Sequence, residues 1–370
     1  MNTHFLSASL IIINAATFSP HFSAYQPAPL TPPEQAVKSA LQHLVTQEDH
    51  AILTHNRQAL EQVFTPQAHA ALHEATKREA YLSAWAKSRQ IAFKRVTVSL
   101  RTPGIQFRTN GLVHVFAIVS ERYQVQKGTL SDAFGLGIRH DYVLQSLHGQ
   151  WRIASDDFTD PLNQDTRIPG SVRPADDFTP HYQAPSVRSH NLAVDYANRY
   201  CGAAPGCGNG GRYNSHYIDY NGDGGDCTNF ISQALAAAGF RQTPVWEYSA
   251  RLGEGSPAWA NAARFKYFLE STGRATLMAQ GRYSQLTQPT KRFPHGAVNN
   301  LVSGDLISYI EHGRTVHTAI VVGTDRLGYL VVDTHTADRY HVPWDLGWDR
   351  HTVYDFWHVH YPSPNPHASS

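Results

Sequence analysis

The sequence predicts an α+β protein built in two parts, and three observations carry that prediction. Apolar residues recur at helical spacing between about residues 34 and 90. Strict alternation replaces that spacing from residue 91. After a Pro- and Asp-rich stretch, a second part opens on a Gly-Gly-Asp-Cys motif that starts an apolar helix. A chain of 370 residues is long enough for two ordinary cores. Lys and Arg number 31 against 30 for Asp and Glu, a balance that gives no basic footprint for nucleic acid. No apolar run approaches bilayer-spanning length, so an integral membrane anchor is not expected. Three cysteines are too few for a disulfide-dense miniature fold or a Cys-rich zinc module. The 22 histidines add positive charge only in mild acid.

Residues 1–24 read as a signal-like segment. An apolar stretch runs from Phe5 to Phe18 around Leu10-Ile11-Ile12-Ile13, and Phe22-Ser23-Ala24 fits the approach to a cleavage site, although no Lys or Arg precedes the stretch. The expectation is a secreted or cell-wall-associated protein, in surroundings that permit disulfides. Residues 25–165 form an accessory domain. Ala36, Ala40, Leu41, Leu44 and Val45 mark one helix face, and Ala70, Ala71, Ala75, Tyr81, Leu82 and Trp85 a second. Alternation then gives strands at Ile91–Leu100, Leu112–Tyr123, Tyr142–Leu147 and Trp151–Ala154. Helices followed by an antiparallel sheet resemble the cone-shaped nuclear-transport-factor-like fold. No reactive constellation stands out here. Residues 166–186 are polar, Pro-rich and aperiodic and read as a linker; 187–362 form the second domain and 363–370 a tail.

The chemistry is concentrated in Gly224-Gly225-Asp226-Cys227-Thr228-Asn229-Phe230-Ile231-Ser232-Gln233. The glycines permit a tight turn and Asp226 is a good N-cap residue. Cys227, Phe230, Ile231, Ala234, Leu235 and Ala238 then line one helix face that Gly239 ends. A thiol in the first turn meets free amide N–H groups and the positive end of the helix dipole, which favour a thiolate and can hold an oxyanion. Most lone cysteines are inert core residues, so the remaining two matter. Cys201 and Cys207 lie in one Gly-rich loop, close enough to bridge; that pairing leaves Cys227 free, whereas a bridge to Cys227 would remove the nucleophile.

A cysteine nucleophile needs a base, and the base needs an orienting partner. His317 opens the β-branched strand Val316-His317-Thr318-Ala319-Ile320-Val321-Val322 and shares its face with Ala319 and Val321. On the following strand Tyr329, Val331, Asp333 and His335 share a face, so His335 and Asp333 both compete to hold His317. The Gly-Asp-Cys-Thr-Asn-Phe motif, the His317 strand and His335-Thr336-Ala337-Asp338-Arg339 together resemble the bacterial "putative amidase" domain family, which is similar to the NlpC and CHAP groups of papain-like cell-wall hydrolases. The resemblance covers about half of the chain. It implies a papain-like domain with the cysteine helix packed on an antiparallel sheet, and amide hydrolysis through a thioester without a metal. It makes Cys227 the nucleophile, His317 the base and His335 the third member, with Asp333 as the alternative. The Cys227 main-chain N–H becomes the oxyanion donor, and Asp226 and Asn229 support the motif. The implied substrate is a peptide or a peptidoglycan-like amide.

Two other classes compete: a non-catalytic wall- or peptide-binding module on the same fold, and a zinc-dependent amidase. Asp219, Asn221 and Asp223 imitate half a calcium loop, but Phe230 stands where the closing Glu belongs. His358 and His360, with His351 nearby, lack a companion ligand at zinc spacing. The Gly206–Gly211 run is not an intact nucleotide fingerprint. Trp246, Tyr248 and Trp259 read as core or cleft-wall aromatics.

Overall fold

The computed structural model describes residues 29–158, 166–168 and 188–362. The signal-like segment 1–24, most of the expected linker and the tail 363–370 therefore lie outside the described residues. Three helices open the fold: α1 (Pro32–Thr54), α2 (Arg57–Val63) and α3 (His69–Arg89). Two prolines start α1, and Thr31 N–H, just ahead of them, donates to Glu34 Oε2 at 2.8 Å. Four antiparallel strands follow, β1 (Ala92–Phe107), β2 (Leu112–Lys127), β3 (Leu130–Leu147) and β4 (Gln150–Phe158). β3 starts twelve residues before the segment that alternation marked (142 against 130), because Gly135 and Gly137 interrupt its apolar pattern.

The second part carries α4 (Arg188–Tyr200), α5 (Cys227–Ala237), the two-residue strands β5 (Tyr248–Ser249) and β6 (Glu254–Gly255), α6 (Pro257–Ala260) and α7 (Ala262–Thr272). β7 (Ala275–Arg282) and α8 (Tyr283–Thr287) come next. The remaining strands are β8 (Leu306–Glu311), β9 (Arg314–Thr324), β10 (Leu330–Thr334), β11 (Asp338–Pro343) and β12 (Val353–Val359). On β9 alternate residues serve different cores. Ile320 and Val322 pack with Phe230 and Ile231 of α5, whereas Ala319 and Val321 join Tyr309, Trp344, Trp348 and Tyr354 on the opposite face.

The molecule is α+β with one large antiparallel sheet, in the order β1-β2-β3-β11-β10-β9-β8-β12-β7 with β4 on β3. The two parts meet inside this sheet: Asp338, Arg339 and Tyr340 of β11 pair with Gly137, Leu136 and Gly135 of β3. Gly137 is required there, since a Cβ would sit 2.8 Å from Ala203. The first core also takes in Leu327, Val342 and Leu346 from the second part.

Under the first helices lies a buried polar cluster that no sequence pattern announced. Arg78 donates to Glu121 at 2.6 Å, Tyr123 to the same carboxylate at 3.0 Å, and His140 Nδ1 lies 2.8 Å from Asp156. Glu48 faces this cluster, and burial, reinforced by Asp156, pushes its pKa up to about 8 against the pull of Arg78 and His140. A carboxyl raised on folding stabilises fully below its unfolded value of about 4.3, and that contribution is lost as pH rises through the folded value. Urea unfolding at pH 6 and pH 9 should therefore show wild-type stability falling more steeply than that of Glu48→Gln; equal falls would contradict the assignment.

Candidate active site

Cys227 is the first residue of α5, buried at 8% exposure, and is the free cysteine; Cys201 and Cys207 are joined in a disulfide with Cα atoms 5.6 Å apart. Asp226 occupies the N-cap position but its side chain does not cap the helix. Its carboxylate accepts from Tyr220 N–H at 3.0 Å, Asn229 Nδ2 at 2.8 Å and His335 Nδ1 at 2.6 Å. Uncapped, the first-turn amides stay directed at the site. Thr228 N–H and Thr318 N–H both donate to the Cys227 sulfur, and Thr228 Oγ1 lies 3.7 Å from it. Burial outweighs these donors and pushes the thiol pKa up, so the resting group is a thiol. This corrects the expectation that the helix end would win.

His317, 6% exposed, opens the buried part of β9. Its Nε2 lies 3.0 Å from Thr334 Oγ1, and that hydroxyl donates at 3.1 Å to the Thr318 carbonyl. The same hydroxyl lies 3.2 Å from the His335 carbonyl; with its one proton directed at a carbonyl it accepts from the ring, which places the His317 proton on Nε2 and leaves the Nδ1 lone pair as the base. Tyr309 and Trp348 flank the ring at centroid distances of 5.5 and 5.6 Å. Burial, followed by the positive charge of Arg339, lowers its pKa to about 3, which keeps it neutral. Cys227 and His317 share no hydrogen bond. His317 instead faces Tyr309 and Trp348, on the side of the sheet away from α5, and Thr318, which follows it on β9, is the residue whose backbone serves both the sulfur and Thr334.

The structure places neither expected third member on the His317 ring. His335 donates through Nε2 to the Tyr200 carbonyl at 2.6 Å and faces Asp226 through Nδ1, so both nitrogens are engaged; its ring stacks on Tyr213 and Phe230. Asp333 accepts from His341 N–H at 2.8 Å, and burial pushes its pKa up to about 8. The cause is register. Val332 pairs with Val321 and Asp333 with Ile320, so Thr334 falls on the His317 face and Asp333 on the α5 face. Thr334 is the residue that sequence reasoning missed, and only the register could have singled it out.

The supporting residues fix the motif helix. Asn229 Nδ2 reaches the Ile218 carbonyl at 3.0 Å while its Oδ1 accepts from Trp259 Nε1 at 2.7 Å. Ser232 accepts from Trp246 Nε1 at 2.9 Å. Trp246 and Trp259 are core and Tyr248 is half-buried. In the calcium-like loop, Asp219 Oδ1 accepts from Asn221 N–H at 2.9 Å and its Oδ2 lies 3.7 Å from Arg139. His358 Nδ1 pairs with Asp305 at 3.1 Å, and His360 lies 3.0 Å from Thr276. Among the described residues no group of three His, Cys, Asp or Glu is gathered to hold a metal ion.

Residues 188–357 match the family described as "Putative amidase domain". No curated protein matches the chain in sequence. Three solved structures each align with 35% of this chain. The intermembrane space region of chloroplast protein ARC6 is 15% identical over 98% of its own length, with a TM-score of 0.24. A protein titled "Putative Scytalone Dehydratase" from Novosphingobium aromaticivorans is 10% identical over 87%, at 0.26. A protein titled "putative ca/calmodulin-dependent kinase ii association domain" from Exiguobacterium sibiricum is 14% identical over 96%, at 0.21. Scores this low define no common fold.

Two measurements check the site. Alkylation of Cys227 by iodoacetamide should rise with a midpoint above the ordinary thiol value of about 8.5; a midpoint below it would show that the amide donors prevail. Thr334→Val should abolish the Nε2–H preference of His317 in nitrogen-15 spectra, and slow any Cys227-dependent turnover by about 10–100-fold, as loss of an orienting partner commonly does. An unchanged tautomer would remove Thr334 from the site.

Proposed function

We propose that this protein is a cysteine-dependent amide hydrolase. The observation that carries the reading is a free cysteine at an uncapped helix start, with a buried histidine, partnered by Thr334, one residue before Thr318 on its strand. The amidase-family match over 188–357 points to amide chemistry at the coarse level. On this reading the second part of the chain is a papain-like module, and the helices and strands 32–158 form a nuclear-transport-factor-like cone.

In the proposed reaction His317 Nδ1 takes the thiol proton as the Cys227 sulfur attacks the amide carbon. The carbonyl oxygen gains negative charge and is met by the open first-turn N–H groups, beginning with that of Cys227. The C–N bond breaks, the imidazolium returns its proton to the departing amine, and a thioester remains on Cys227. Water, deprotonated by the same nitrogen, then attacks the thioester and releases the acid. Because thiol and imidazole are both neutral at rest, the charge pair forms only during attack. A peptide or peptidoglycan amide is the proposed substrate. The Cys201–Cys207 bridge supports an oxidising, extracytoplasmic setting in which such a polymer is met.

The pushed-up thiol, and a His317 ring on the sheet face away from α5, are the observations that favour the competing reading, a binding module without turnover. Mass spectrometry of products from purified peptidoglycan and a panel of simple amides separates the two. Wild-type protein should release an amine and an acid, with a loss of at least about 1000-fold in Cys227→Ala and in His317→Ala, both still folded by circular dichroism. Turnover retained in Cys227→Ala would overturn the mechanism.

A further inference from the structure

We infer that the first part of the chain is a clamp on the active site, with Tyr81, Trp85 and Arg89 of α3 acting as positioning residues for His317 through the loop 344–349. The inference rests on the proposed role of His317. All three side chains are buried, and all point at that one loop. Tyr81 OH accepts from Gly347 N–H at 2.8 Å and donates to the Trp348 carbonyl at 2.8 Å. Asp345 Oδ2 accepts from Trp85 Nε1 at 3.0 Å and from Arg89 Nε at 3.0 Å. The Arg89 guanidinium also lies over the Tyr283 ring at 4.0 Å, and the Arg89 carbonyl accepts from Tyr329 OH at 3.0 Å.

From the other side the sheet holds the same loop. Tyr309 OH donates to the Trp344 carbonyl at 2.9 Å and Arg339 Nη1 to the Leu346 carbonyl at 2.6 Å. The loop is thus caught between α3 and β8–β11, and what it presents is Trp348. That indole stacks on Tyr309 at 4.2 Å and packs against the His317 ring at 5.6 Å. Three walls fix the imidazole: Thr334 at its Nε2, Tyr309 on the neighbouring strand, and Trp348 on the clamped loop, with Arg339 as the charge that bears on it. Only the third wall depends on residues more than 200 positions upstream: the Tyr81 bond to Trp348 spans 267 positions. A buried ion pair such as Arg89–Asp345 adds little net stability compared with an apolar pair. Its value here is geometric, because it admits one position of the loop.

The test reads the ring directly. In full-length protein, the His317 ring signals are followed by NMR across pH in wild type, Tyr81→Phe, Arg89→Leu, Arg89→Lys and a control on α1, Val37→Ala, which loosens the same core but removes no hydrogen bond to the loop. Tyr81→Phe keeps the ring and removes both loop bonds. It and Arg89→Leu should raise the His317 titration midpoint by about one unit or more as water reaches the ring. Arg89→Lys, which keeps the charge, should recover at least half of that shift, and Val37→Ala should leave the midpoint in place. If Tyr81→Phe and Arg89→Leu leave it unmoved, or if Val37→Ala moves it equally, the clamp is refuted. Should either loop variant fail to fold, the other and Arg89→Lys still decide. Since this readout needs no turnover, it can fail while Cys227→Ala abolishes hydrolysis, or succeed while it does not, so the two readings fall separately.

Discussion

The buried carboxylate of Asp226 is the constraint on which the site depends. It gathers a loop amide, the Asn229 side chain and the His335 ring, while its own N–H donates to Thr336 Oγ1 at 2.9 Å. The start of α5 is thereby pinned to the turn between β10 and β11. A carboxylate committed to three partners has none left to cap the helix, and the first-turn amides stay open around the sulfur. The same contact explains His335: it is a tie between sheet and helix, anchored at its far end on Tyr200, next to the disulfide.

Much of this was legible in the chain. The spacing of Cys227, Phe230, Ile231, Ala234 and Leu235 gave the helix and its buried face directly, because helical periodicity is local. Period-2 alternation correctly put His317 with Ala319 and Val321, and Asp333 with His335. What alternation cannot say is how two strands are offset. An irregularity between Val331 and Val332 sets the match of β10 to β9 and brings Thr334 to the imidazole. The joining of β11 to β3 was hidden for the same reason, being a pairing between segments with no local signature of each other.

Electrostatics was the other illegible layer. A helix start suggests a ready thiolate, yet the sulfur, like the strand histidine, sits where water is excluded, and desolvation is a property of the assembled molecule. The same holds for Glu48, a helix carboxyl that stands inside a core. Charged residues placed inside mark where the two parts of this chain differ most from their sequence patterns.

The pairing of β11 with β3 also shapes how the chain matures. Leu136 leaves the ribosome about 200 residues before Arg339, its neighbour in the finished sheet. For that interval a short stretch of open strand has no legitimate mate, and another nascent chain offers the same edge. Glycines at 135 and 137 make that stretch a poor template for a stranger, since they add no side-chain grip, yet leave room for Ala203 and Pro205 to seal it when they arrive. A sheet built from distant stretches of one polypeptide is closed by its later strand, and the glycines hold that place open for it.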